Sequence, residues 1–172
     1  MRKELDKQLC EKYPLLYRNR NAPMTETCMC WGFDCGEGWY NIIDTLSALL
    51  CSDFNRAKEG YENIKEYYEN EGKWPWNNGK VITPEEVEER RLKMVKAEES
   101  VPTVVQVKEK FGTLRFYIDS GTEEQYNYIR FAEKLSARTC ETCGAPGKIR
   151  GPSSYSYYTA CDEHTTPQHV NH

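Results

Sequence analysis

Apolar residues recur along this chain in two periods, and the change of period separates helical stretches from extended ones. Trp39, Ile42, Ile43, Leu46, Leu49 and Leu50 follow one another at i, i+3, i+4, i+7, i+10 and i+11, the spacing of one face of an α-helix. A core helix over 39–51 is expected, entered through the turn Gly36-Glu37-Gly38 and anchored by Trp39. Phe54, Ala57, Tyr61, Ile64 and Tyr68 predict a second helix over 53–70. Thr83-Pro84-Glu85-Glu86 is a helix start, with Thr83 as N-cap, Pro84 at the first helical position and Glu86 placed to close a capping box. The helix it opens, 84–99, is charged nearly all round, with Glu86/Arg90 and Glu89/Lys93 in favourable i, i+4 order. Thr122-Glu-Glu-Gln125 repeats the capping signature and predicts a helix over 122–136, with Tyr128, Phe131, Ala132 and Leu135 on its inner face. A short polar helix over 2–12 ends before Pro14, and Tyr13-Pro14-Leu15-Leu16-Tyr17 is expected to pack onto the body.

The period falls to two after Pro102. A hairpin over 103–119 is predicted, with Val105, Val107, Leu114, Phe116 and Ile118 on its core face and a turn within Glu109–Thr113. Its other face carries Gln106, Lys108, Arg115 and Tyr117, with Lys110 near the tip. Between the second and third helices, Trp74-Pro75-Trp76 beside Asn78-Gly79 marks a tight turn or small hairpin. Trp74 and Trp76 either fold back as a cap on the core or offer a recognition surface.

The strongest chemical signal lies near the C-terminal end. Cys140-Glu-Thr-Cys143 and Cys161-Asp-Glu-His164 are two close pairs of soft and borderline ligands, the donor set and spacing of a tetrahedral zinc site. Gly144 supplies the left-handed residue such a knuckle needs. The intervening KIRGPSSYSYYTA reads as strand, turn at Gly151-Pro152-Ser153, and strand, the hairpin of a zinc ribbon. Four ligands at closed spacing argue for a structural metal, contributing about 10 kcal/mol or more to local folding. A disulfide is the alternative use of the thiols, and one seldom found in a cytosolic chain. His169 or His172 stands as an alternative fourth ligand. Cys28, Cys30 and Cys35, completed by Cys51 or Cys10, would be a second site, at spacings that form no standard knuckle. The expected fold is therefore α+β: helices packed with an antiparallel β-hairpin and a C-terminal zinc ribbon. It divides into a body over 1–136, a zinc module over 137–166 and a polar tail over 167–172.

Charge and composition narrow the function. The net charge is −4, residues 101–172 are balanced, and the excess acid lies in residues 1–100. Dedicated nucleic-acid binders carry a basic excess, so that class is disfavoured. Lys148 and Arg150 with Tyr155, Tyr157 and Tyr158 still keep a zinc-ribbon nucleic-acid or transcription-machinery adaptor as an alternative. The charged opening MRKELDKQL is no signal region and no run is long enough to span a membrane, so a cytoplasmic protein is expected. All three histidines lie at or beyond residue 164, which removes histidine as a general base elsewhere. The chain has no GxSxG, Walker A, GxGxxG or HExxH motif, and a zinc deaminase would need His/Cys-x-Glu ahead of PCxxC. A non-enzyme is expected, with a nucleotide hydrolase acting through carboxylates as a further alternative. The best ligand candidates are Lys108, Lys110, Arg115 and Tyr117, where cations and an aromatic ring on one strand face suit an anionic, nucleotide-like ligand. An ordinary solvent-facing sheet surface is the plain alternative.

The segments CMCWGFDCGEGWYNIIDTL, VVQVKEKFGTLRFYI, AEKLSARTCETCGAPG and TACDEH resemble a group of small uncharacterised proteins carried by tailed bacteriophages and prophages. The similarity runs from about Met24 to His164. It implies the Cys140/Cys143/Cys161/His164 cluster and expression in the host bacterial cytoplasm, and it carries over no catalytic residue. By association it implies a counter-defence factor that sequesters a nucleotide-type immune signal or docks on a host protein. Self-association into a homo-oligomer is compatible with it.

Overall fold

The strands anticipated after Pro102 form the centre of a three-stranded sheet in the computed structural model, which describes residues 1–151 and 157–165. Strands β2 (Val104–Lys110) and β3 (Thr113–Ile118) pair antiparallel, and the short β1 (Phe33–Asp34) joins β2 in parallel, giving the order β1-β2-β3. Val107 faces Phe116 in the register, and both are buried. The core residue near the start of β2 is Val104, fully buried, whereas the simple alternation placed Val105 there. A register shift between Val104 and Gln106 is the cause, because a bulge inserts one residue and flips the pattern upstream of it. Ile118 is only half-buried.

The chain divides into two compact units: Met1–Leu50 with the chain from Pro102 onward, and Cys51–Val101. In the first, α1 (Lys3–Lys12) leads into the segment 13–17, where Tyr13, Leu16 and Tyr17 are buried. Tyr17 Oη lies 2.6 Å from Ser47 Oγ, and Val104 N donates to Leu16 O at 2.9 Å. Helix α2 (Tyr40–Leu50) buries Ile42, Ile43, Leu46, Ser47 and Leu50, and Trp39 at its entry is fully buried. Leu49 stands 39% exposed, because at i+10 the apolar stripe has rotated off the core line, and Ser47 takes the inner place with its hydroxyl bonded to Ile43 O.

Helix α5 (Glu123–Ser136) starts with the anticipated capping box of Thr122 and Gln125. Its inner face is Ile129, Ala132 and Ser136, while Phe131 is 67% exposed and Leu135 also stands out in solvent. That correction has a polar reason. Ser136 Oγ accepts from Leu114 N at 2.8 Å, and Glu133 Oε1 accepts from Phe116 N at 3.2 Å. The helix turns these two acceptors toward the outer edge of β3, which would otherwise present unpaired N–H groups.

The second unit holds α3 (Ser52–Asn70) and α4 (Pro84–Glu99), which pack against each other. Ile64 is its buried anchor; Tyr68, placed on the inner face by spacing, is exposed, and Tyr67 turns instead toward Trp74 and Trp76. The Thr83/Glu86 capping box is present. Glu86 pairs with Lys80 at 2.6 Å rather than with Arg90, since the carboxylate is already turned back to the cap; Glu89–Lys93 pairs as expected.

Candidate functional site

Two turns bring the metal-ligand side chains together. Cys140 and Cys143 sit on a knuckle after α5, closed by Gly144 N donating to Cys140 O at 2.8 Å and Cys140 N donating to Ala145 O at 2.7 Å. Gly144 adopts φ +79°, the left-handed conformation that its lack of a Cβ allows. Cys161 and His164 follow β5 (Tyr158–Ala160), which pairs antiparallel with β4 (Lys148–Arg150). One ligand atom from each of the four residues lies within 4.8 Å of all the others. Cys143 Sγ is 3.8 Å from Cys161 Sγ, and His164 Nδ1 is 3.7 Å from Cys140 Sγ and 3.1 Å from Cys161 Sγ. This cluster is compatible with a metal-ion site. The turn 152–156 and the alternative ligands His169 and His172 lie outside the described residues.

The electrostatics favour a cation. Burial raises the Cys140 thiol, but the N–H groups of Cys161, Cys143 and Thr142 outweigh it and bring the thiol down to about 6, so the thiolate, the ligating form, is present at neutral pH. For Cys143 the Ala145 N–H lowers the thiol, yet burial and the neighbouring Cys140 and Cys161 sulfurs hold it above its usual range. Clustered thiolates repel one another until a positive charge joins them.

The knuckle rests on a seat that sequence reasoning took for a simple turn. Gly36-Glu37-Gly38 lies backbone to backbone against it: Gly38 N donates to Glu141 O at 2.8 Å and Gly36 N donates to Glu141 Oε1 at 2.8 Å. Trp39 Nε1 donates to Thr139 O at 2.8 Å. A Cβ on Gly38 would stand 2.3 Å from Cys140 O, so only glycine allows this approach. The available signal was two glycines flanking a single residue directly before the core tryptophan. Burial pushes the Glu141 carboxyl up, although the Gly36 N–H counters it.

Two strand faces remain. On the outer face of the β2–β3 hairpin the register sets Lys108 opposite Arg115, Gln106 opposite Tyr117 and Lys110 opposite Thr113, so Lys108, Lys110, Arg115 and Tyr117 share one side. Lys108 Nζ lies 5.8 Å from the centroid of the half-exposed Tyr117 ring. Arg115 Nη1 donates to Leu114 O and Thr113 Oγ1, and among the described residues no carboxylate pairs with these three cations. Arg150 on β4, by contrast, is engaged by Asp162 and by Ala160 O. Trp74 and Trp76 belong to the Cys51–Val101 unit. Their rings meet each other and Tyr67 in tilted and edge-to-face contacts at centroid distances of 5.3–6.1 Å, leaving Trp74 half-buried and Trp76 58% exposed.

Among the described residues no second group of three or more potential metal ligands gathers, so Cys28, Cys30, Cys35 and Cys51 form no further centre. Burial pushes the Cys35 thiol up to about 12, and burial together with Asp6 does the same for Cys10, which keeps both protonated. No described helix is long and apolar enough to cross a membrane. No protein-family model, curated protein or solved structure matches this chain.

Proposed function

We propose that this chain is a non-enzymatic, phage-encoded zinc protein that binds a nucleotide-type ligand and acts as a counter-defence factor by sequestering such a signal. The observation that carries the reading is the outer hairpin face, where Lys108, Lys110 and Arg115 stand beside Tyr117 without acidic partners among the described residues. Cations that no carboxylate neutralises are available to phosphates, and the ring beside them can stack on a base.

Zinc is the metal that suits the cluster. Three cysteines and one histidine are a structural zinc donor set. Zn–S and Zn–N bonds of about 2.3 and 2.05 Å set tetrahedron edges of about 3.8 Å between sulfurs and about 3.6 Å between sulfur and nitrogen, close to the 3.8 and 3.7 Å found for Cys143–Cys161 and Cys140–His164, while the Cys161–His164 edge at 3.1 Å is shorter. All four positions are filled by protein ligands, so a bound zinc would supply folding energy rather than Lewis acidity. Under this reading β4–β5 is a zinc ribbon stapled to the seat at Gly36–Gly38, and the ribbon in turn braces the hairpin tip, since Thr159 Oγ1 donates to Gly112 O.

Calorimetry of the metal-replete protein against cyclic and ADP-ribose-type nucleotides tests the proposal. Saturable binding that Lys108→Glu abolishes is expected; silence across the panel would overturn it. Docking on a host protein, or on a second copy, is the second reading. It is favoured by the exposed Phe131 and Leu135 on the outer side of α5. A ribbon-based nucleic-acid adaptor is weakened by the engagement of Arg150.

A further inference from the structure

The tip of the β2–β3 hairpin carries a residue that its backbone conformation disfavours. Phe111 and Gly112 are the two loop residues between Lys110 and Thr113, and both are left-handed, with φ +55° and +76°. A two-residue loop with both φ values positive prefers Asn-Gly or Asp-Gly, and a bulky aromatic at positive φ is an outlier. Burial does not compensate it, because the Phe111 ring is 64% exposed. The turn is nonetheless held firmly, with Gly112 N donating to Glu109 Oε1 and Gly112 O accepting from Thr159 Oγ1. A strained, exposed and well-braced aromatic residue is a sign of function.

Its placement says what function. Lys110 Nζ lies 5.4 Å from the Phe111 ring centroid, as Lys108 Nζ lies over Tyr117. The outer face therefore reads ring, cation, cation, ring along β2, with Arg115 opposite Lys108. Tyr117 pairs with Gln106 and Phe111 follows Lys110. Four strand steps, about 13 Å at the rise of a strand, therefore separate the Tyr117 position from Lys110, with Phe111 in the turn just beyond. A single nucleotide reaches one ring. A run of several nucleotides reaches both while its phosphates pass the cations.

We propose that this face takes a single-stranded oligonucleotide laid along β2, with bases stacked on Phe111 and Tyr117 and phosphates on Lys108, Lys110 and Arg115. The inference rests on the nucleotide-binding reading and narrows its ligand class from a free nucleotide to a short strand. Aromatic platforms alternating with cations bind strands with little sequence preference, because every base has a π-face.

The test is fluorescence anisotropy of the full chain, zinc-replete, with a fluorescein-labelled thymidylate octamer, competed by unlabelled octamer and by thymidine monophosphate. The octamer should bind with log K falling against log salt at a slope of about −2, from three cations at about −0.7 each on a single strand. Thymidine monophosphate should compete roughly ten- to hundred-fold more weakly, and Phe111→Asn should weaken octamer binding by a similar factor. Phe111→Asn should also melt higher than the parent, since asparagine suits the turn, so weaker binding cannot then be ascribed to unfolding. Equal competition by the monophosphate, or undiminished octamer binding by Phe111→Asn, overturns the inference and leaves the nucleotide reading standing. Silence toward the octamer and toward the whole nucleotide panel overturns both.

Discussion

Gly38→Ala should be strongly destabilising, and the cost can be worked from the seat of the knuckle. The added Cβ would lie 2.3 Å from Cys140 O, 2.5 Å from Gly144 N and 2.7 Å from Cys143 N. All three neighbours are backbone atoms of the Cys140–Gly144 knuckle, so no side chain can rotate away to make room. Relief requires the Gly36–Gly38 turn and the knuckle to part. That movement weakens the bonds Gly38 N–Glu141 O, Gly36 N–Glu141 Oε1 and Trp39 Nε1–Thr139 O, each worth about 1 kcal/mol net. Overpacking adds about 1–3 kcal/mol. A total near 4 kcal/mol corresponds to a fall of about 10 °C in melting temperature for a chain of this size. Circular-dichroism melts of the metal-replete protein measure it, with Gly60→Ala as the control. Gly60 lies within α3 with Arg90 Nη1 as its nearest neighbour at 3.3 Å, so alanine there should stabilise by about 0.5–1 kcal/mol. If Gly38→Ala melts within about 2 °C of the parent, the close approach is not a stabilising contact and the account of the seat is wrong.

Three further outcomes follow from the same geometry. Cys143→Ser removes an exposed thiol and leaves no cavity, so it should abolish stoichiometric metal by elemental analysis and melt where chelator-treated parent melts; a variant that retains one metal per chain refutes the ligand assignment. Val104→Ala should destabilise by about 2 kcal/mol and Val105→Ala by less than half of that, because the bulge turns Val104 inward; equal losses in denaturant titration would place the bulge elsewhere. Burial raises the Asp119 carboxyl, but the Thr103 and Ser120 N–H donors outweigh it and hold the group below its ordinary value. Its stabilisation is therefore present above about pH 4 and lost as pH falls through the folded value. Asp119→Asn should lower the melting temperature at pH 7, with the gap closing in acid; a gap that is constant with pH contradicts the sign.

What the sequence made legible was whatever a short window encodes. The capping boxes at Thr83 and Thr122 depend on residues three apart, and both are present. The two ligand pairs depend on residues three apart, and their side chains meet. The errors came where a distant partner decides. Phe131 satisfies a helical stripe as well as Ile129 does, but the unpaired edge of β3 selects the face of α5 that carries Glu133 and Ser136. Val105 satisfies strict alternation, but the bulge beside it gives Val104 the core. Gly36 and Gly38 look like any turn until the knuckle, a hundred residues away, is laid against them. Phe111 was hidden for a related reason: an aromatic in a turn looks like an error of pattern, and only the backbone dihedrals show that the chain accepts strain to hold it there. Residues that break a local rule are the ones whose reason lies outside the window, so the positive φ of Phe111 at the hairpin tip is a better guide to function than the many residues that obey their pattern.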